Sequence, residues 1–203
     1  MLGKLSVENL DCAGKRVFLR VDWNVPLDDA GHVTDDRRIR ASLPTLRLLR
    51  ERGAVVVVGS HFGRPKGKVV ESMRLAPVAA RLTELLGSPV TALRDVVGPG
   101  VEAAVAAARP GDVVLLENLR FEPGEEKGDP ALAEQLARLS DLYVNDAFGA
   151  AHRAHASVSV LPRLVGTAAA GLLMAAELEH LGGALASPAR PFVLVFGGAK
   201  VSD

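Results

Sequence analysis

The chain has 203 residues, 48% of them apolar, which is enough to bury a sizeable core and excludes a disordered protein. Lys and Arg number 24 and Asp and Glu number 24, so the net charge is zero; with one Trp, one Tyr and six Phe this argues against nucleic acid as a partner, and any anion site has to be local. The single cysteine, Cys12, excludes an internal disulfide, no set of Cys and His has zinc-finger spacing, and a reducing cytoplasm is the expected compartment.

Lys4, Glu8 and Asp11 interrupt any signal-peptide core in the first twelve residues, and the later apolar stretches are too short to span a bilayer, so no membrane partner is expected. Val17 to Val21 is the first apolar run, followed by helical spacing at Ile39, Leu43, Leu46 and Leu49. A second run, Ala54 to Gly59, precedes another helix marked by Leu75, Val78, Ala79, Leu82, Leu85 and Leu86. A weaker strand at Val90 to Leu93 and a helix over Val101 to Ala108 lead to a third strong run, Val113 to Leu116. A helix at Pro130 to Leu139 and a weaker strand at Leu142 to Asn145 continue the alternation. Unbroken apolar runs suit strands buried on both faces, and alternating strand and helix predicts an α/β domain with a mostly parallel sheet.

Near the end the rhythm changes. Gly171 to Leu181 reads as one amphipathic helix, then come a loop with Gly182, Gly183, Ser187, Pro188 and Pro191, a strong buried strand at Phe192 to Phe196, and Gly197-Gly198-Ala199-Lys200. A parallel strand needs a partner and a crossover, so this last one reads as the first strand of a second domain cut short. The predicted division is 1–170 for the first domain, 171–186 for an interdomain helix and linker, and 187–203 for the start of the second.

In open α/β sheets ligands bind beyond the carboxyl ends of the strands. The residues there are Asp22, Trp23 and Asn24 after the first run, and Ser60, His61, Gly63 and Arg64 after the second. Glu117, Asn118 and Arg120 follow the third strong run, and Asn145, Asp146, His152, Arg153 and His155 follow the strand after it. Arg37, Arg38 and Arg40 open the first helix. Taken singly, each has a plainer role: a solvated arginine, a capping aspartate, a structural histidine, a surface lysine at Lys200. Their recurrence at the same place in successive units points instead to a shared site in which Arg38, His61, Arg64, Arg120 and Arg153 converge on a small polyanion. Arginine's planar fork matches phosphate and carboxylate, while Asp22 and Asn24 accept from or donate to hydroxyls between them. No Walker-type loop and no Gly-x-Gly-x-x-Gly after the first strand occurs, and Gly197 to Lys200 is a short, weak phosphate-binding signal.

Seven segments in order resemble phosphoglycerate kinase: RVDWNVP (20–26), DRRIRA (36–41), SHFGRP (60–65), LLENLRF (115–121), YVNDAFG (143–149), AHRAHA (151–156) and GGAKV (197–201). Trp23 and Phe62 depart from the family's commoner Phe and Leu without altering a charge. The resemblance implies a three-layer Rossmann-like domain and, for the family, reversible phosphoryl transfer between 1,3-bisphosphoglycerate and ADP, giving 3-phosphoglycerate and ATP with magnesium. It places Asp22 and Asn24 on the glycerate, His61, Arg64, Arg120 and Arg153 around the 3-phosphate, and Arg38 at the transferring phosphoryl group. Lys200 is placed with Arg38 as a catalytic cation and at the nucleotide, and no metal ligand is expected in this half. Most of the Mg-ATP/ADP site belongs to a domain beyond Asp203, so this chain is expected to be inactive alone. The family is typically monomeric. The alternative reading is a non-catalytic anion-binding or interaction module that self-associates through its last strand.

Overall fold

The computed structural model describes residues 5–186 together with 190, 192 and 193. The strands are β1 (Arg16–Arg20), β2 (Val55–Gly59), β3 (Thr91–Ala92), β4 (Val113–Leu115), β5 (Leu142–Asn145) and β6 (Ala168–Ala170). They form one 6-stranded sheet in the order β3-β4-β2-β1-β5-β6. Every pairing in it is parallel, with Leu19 beside Val58 on one side and Val144 on the other. The helices are α1 (Arg37–Glu51), α2 (Ala76–Leu86), α3 (Pro99–Ala107), α4 (Pro130–Ala137), α5 (Leu161–Val165) and α6 (Leu172–Ala186).

Because successive strand residues face opposite ways, the apolar runs supply two cores. Val17, Leu19, Val56, Val58, Val113, Leu115 and Val144 pack with Ile39, Leu43 and Leu46 of α1 and Val78 and Leu82 of α2. Phe18, Val57, Val114 and Tyr143 pack on the other face with Val101 and Val105 of α3, Leu132 and Leu136 of α4, and Leu161 of α5. The result is the expected three-layer α/β arrangement. Each fully buried Val, Leu or Ile contributes about 1.5–3 kcal/mol relative to exposure, and the strongest runs accordingly became the central strands. α1 passes through Pro44, which lies on its exposed side, without ending. Asp129 caps α4 by accepting from the Ala131 amide at 2.9 Å, and Gly87 ends α2 in the left-handed conformation, φ +65°.

The structure departs from the sequence reading in three places. Ala168–Ala170 forms β6, although alanine is a poor strand former; its edge is held by β5 and by the Ala170 amide donating to the Leu5 carbonyl at 2.8 Å. Residues Ala156–Val160 form a π-helical turn leading into α5. Gly182 and Gly183, expected in a loop, lie within α6, a placement that costs up to about 1 kcal/mol per glycine but does not forbid the helix. The expected strand at Phe192 to Phe196 falls mainly outside the described residues, and Gly197 to Lys200 wholly so.

All strands being parallel, their carboxyl ends share one rim. From β1 the chain moves to β2 on one side, and from β5 it moves to β6 on the other. The crevice between β1 and β5 is therefore the topological switch point, where ligands of open α/β sheets bind.

Candidate anion-binding site

The site grows out of the end of β1. Arg20, its last residue, is 0% exposed, which a guanidinium tolerates only with partners. Its Nε donates to Ser157 Oγ at 3.0 Å, Nη1 donates to the Val21 carbonyl, and Nη2 lies 3.3 Å from His61 Nδ1. Ser157 is in turn fixed by Glu125, also 0% exposed, whose carboxylate accepts from Ser157 Oγ at 2.5 Å and Ser157 N at 3.0 Å. Tyr143 of β5 donates its hydroxyl to the Ser157 carbonyl at 2.9 Å. A buried polar network thus joins β1, β5 and the π-helical turn beneath the rim.

Above it, Asp22 Oδ2 accepts from Arg38 Nη1 at 2.8 Å, and its Oδ1 stands 3.8 Å from His61 Nε2. Asn24 Oδ1 accepts from the Gly63 amide at 2.9 Å, and the Gly63 carbonyl accepts from Arg120 Nη1 at 2.7 Å. Gly63 has φ +59°, and a Cβ there would stand 2.9 Å from Met73 Sδ, so this bridge between the β1 and β4 loops requires glycine. Asn118 makes the neighbouring turn rigid: its Oδ1 accepts from the Phe62 and Arg120 amides, both at 3.1 Å, and its Nδ2 donates to the carbonyls of Phe62 and Met73.

The electrostatics are dominated by cations held together. Burial first, and then Arg20, Arg120, His155 and Arg153, push His61 down to about 2. Burial, followed by Arg120, Arg153 and Arg20, lowers His155 to about 4, with Glu126 opposing. Burial also pulls Arg120 below its ordinary value, Glu126 resisting and Arg153 and Arg20 adding to the effect. Both imidazoles are therefore neutral at pH 7, and the guanidinium groups of Arg20, Arg120 and Arg153 share one neighbourhood, in which Glu126 stands 3.2 Å from Arg120 Nε and Glu125 lies beneath, bonded to Ser157. An anion between them relieves that repulsion.

Asp22 is bonded to Arg38 and stands near His61, and Asn24 and Arg120 meet on Gly63; Arg153 is exposed, makes no side-chain bond among the described residues, and counts among the cations that lower His61 and Arg120. Arg64 follows Gly63 on the same rim, exposed; its guanidinium makes no hydrogen bond or ion pair among the described residues. Lys200 lies outside the described residues. Arg20, Ser157, Glu125 and His155 were not expected as site residues. A charged residue ending a strand otherwise buried is the signal that marks Arg20; nothing in the local sequence marks Glu125 or Ser157. Among the described residues no group of His, Cys, Asp or Glu is arranged to hold a metal ion, and no helix is long and apolar enough to cross a membrane. A cavity of about 510 Å3 lies between the 31–40 segment and α2, lined by Arg37 and Arg40 on either side of Arg38 but by none of the site residues above. Its charges are already matched, Asp36 with Arg40 and Arg81, so it offers a ligand little.

The buried histidines make stability acid-sensitive. Their folded values lie below the ordinary 6.5, so the unfolded chain binds more protons as pH falls. The contribution is complete above about pH 6.5. It shrinks by up to about 1.4 kcal/mol per unit and per histidine below that. The loss from His155 runs to about pH 4 and that from His61 to about pH 2. Urea unfolding as a function of pH is expected to show this decline between pH 6.5 and 4, with a shallower slope in His155→Asn. Constant stability from pH 7 to 5 would contradict it.

The fold and rim define a doubly wound, three-layer α/β domain with a cationic cluster at its switch point. Comparison with known proteins narrows this class. A model of the family described as Phosphoglycerate kinase matches residues 7–203, and the chain belongs to the phosphoglycerate kinase family. It is 59% identical, over all of its length and 52% of the relative, to a phosphoglycerate kinase of Picosynechococcus sp.. It is likewise 59% identical, over all of its length and 51% of the relative, to one of Moorella thermoacetica. Among solved structures it superposes on phosphoglycerate kinase from Coxiella burnetii with a TM-score of 0.86 at 40% identity, covering 98% of this chain and 49% of that one. The Pyrococcus horikoshii phosphoglycerate kinase gives 0.87 at 36% identity, covering 97% and 49%. The chain spans about half the length of these relatives.

Proposed function

We propose that this chain carries the 3-phosphoglycerate half of a phosphoglycerate kinase. What supports the reading is the grouping of Arg38 and His61 around Asp22 and of Arg120 on the Asn24–Gly63 bridge at the carboxyl rim of the sheet, with Arg153 among the charges that act on His61 and Arg120. In the proposed reaction an oxygen of the ADP β-phosphate attacks the acyl phosphate of 1,3-bisphosphoglycerate. The phosphorus–oxygen bond to the acyl group breaks, and ATP and the carboxylate of 3-phosphoglycerate are formed. In reverse, the nucleophile is that carboxylate, already ionised at pH 7, so no general base is required. Positioning and charge neutralisation supply the rate.

In this reading His61, Arg64, Arg120 and Arg153 hold the 3-phosphate, Asp22 and Asn24 orient the glycerate hydroxyl and carboxylate, and Arg38 faces the migrating phosphoryl group with Lys200. Residues 1–170 are the glycerate domain, 171–186 the interdomain helix, and 187–203 the beginning of the nucleotide domain, which supplies most of the Mg-ATP/ADP site. On this division the chain alone binds the glycerate without turnover, and its setting is the cytoplasm.

Arg64→Ala is expected to weaken 3-phosphoglycerate binding by about 1.5–3 kcal/mol, the scale of a charged hydrogen bond. Equilibrium dialysis with radiolabelled ligand measures it, and an unchanged affinity would remove Arg64 from the site.

A further inference from the structure

We propose that Arg20 is a positioning residue: by donating from Nη2 to Nδ1 of His61 it holds that imidazole as the Nε2–H tautomer, presenting a neutral N–H donor to the ligand's phosphate. The proposal rests on the reading of this rim as a phosphate site.

A guanidinium only donates hydrogen bonds, so at the 3.3 Å separation from Arg20 Nη2 the His61 Nδ1 atom has to accept. The ring's one proton then sits on Nε2, the nitrogen on the side of Asp22 Oδ1, 3.8 Å away. The other tautomer sets an Nδ1–H against an N–H of Arg20 and turns a lone pair toward the anion. The imidazolium sets the same N–H against Arg20 and adds a cation to Arg20, Arg120 and Arg153. Only the Nε2–H form satisfies both sides of the ring.

Arg20 has no freedom to do otherwise. Its Nε is occupied by Ser157 Oγ and its Nη1 by the Val21 carbonyl, and Ser157 is locked by Glu125 and Tyr143. Ser157 Oγ gives its proton to Glu125 and therefore accepts from Arg20, which fixes the direction of every bond from Glu125 to His61. Glu125 is thus three hydrogen bonds from His61 and four steps from the ligand, and it bears on this imidazole through the chain of donors. Second-layer partners of a histidine commonly set its tautomer in this way.

The test is a long-range 1H–15N correlation spectrum of the uniformly labelled protein at pH 7, with His61→Gln to assign the ring. The expected result is an unprotonated, pyridine-type Nδ1 and a protonated Nε2 on His61; an Nδ1–H ring or a doubly protonated one would overturn the proposal. Arg20→Met is expected to release the preference and raise the dissociation constant for 3-phosphoglycerate about 10- to 150-fold. Arg20→Lys, which keeps one donor, is expected to restore Nε2–H and part of the affinity. A purely structural Arg20 would lower stability and leave the nitrogen shifts of His61 where they are, and that outcome sinks the assignment. If Arg20→Met does not fold, the wild-type spectrum and Arg20→Lys decide. Failure of the wild type to bind 3-phosphoglycerate would strike the phosphate reading alone, since the tautomer is read without ligand.

Discussion

Trp23→Ala is expected to lower folding stability by about 3–5 kcal/mol, the cost of emptying a large aromatic site in a core that relaxes only partly. Trp23 is fully buried in the loop leaving β1, and its indole Nε1 donates to Ser42 Oγ of α1 at 2.7 Å. Its backbone amide donates to Ser60 Oγ at 3.0 Å, so one residue ties the β1 loop both to α1 and to the start of the β2 loop. Asp22 and Asn24 flank it, and the substitution is therefore expected to loosen the loop that carries these two proposed site residues as well as the core. Trp23→Phe keeps most of the volume and loses one hydrogen bond, for an expected cost of about 1 kcal/mol from that bond plus the smaller void left by the ring. Urea unfolding followed by circular dichroism measures both, since the chain's single tryptophan is the residue removed. A loss under 1 kcal/mol for the alanine variant would mean that the loop closes over the void.

The second large effect is expected at Glu125. Its carboxylate is the anion at the base of the buried network that ends on Arg20 and His61, and removing it leaves the Ser157 hydroxyl and amide without their acceptor and the buried Arg20 guanidinium without the anion it reaches through Ser157. Glu125→Ala is expected to cost about 3–5 kcal/mol, the scale for a buried charge left without its opposite, here reached through the Ser157 bridge. Glu125→Gln keeps the shape and one acceptor but not the charge, and its expected cost is about 1–3 kcal/mol. Equal stability of Glu125→Gln and the wild type would show that the network needs the geometry of Glu125 and not its charge.

Much of this architecture is legible in the residues because each signal is local. Val55 to Gly59 has no polar residue to turn toward water, so only a strand buried on both faces accommodates it. Alternation with amphipathic stretches then forces parallel pairing, which gathers Asp22, His61, Arg120 and Arg153 on one rim. β6 was hidden because Ala168–Ala170 carries no β-branched side chain, and its strand character comes from its neighbour β5 and from Leu5. The support beneath the site was equally hidden. Glu125 and Ser157 meet across 32 positions in sequence, and Arg20 meets Ser157 across 137, distances over which no spacing rule operates. Arg64 illustrates the reverse case, a residue whose place on the rim is read from the chain order but whose guanidinium has no hydrogen-bond or ion-pair partner among the described residues. Identity within the family rests on separate ground, the match over residues 7–203.

The most direct test of the account is a calorimetric titration of this chain with 3-phosphoglycerate beside a titration with magnesium and ADP. Saturable binding of one glycerate per chain, with no comparable response to the nucleotide, is the predicted result. A protein folded by circular dichroism that shows no saturable binding of 3-phosphoglycerate would contradict the assignment of the β1/β5 rim as the glycerate site.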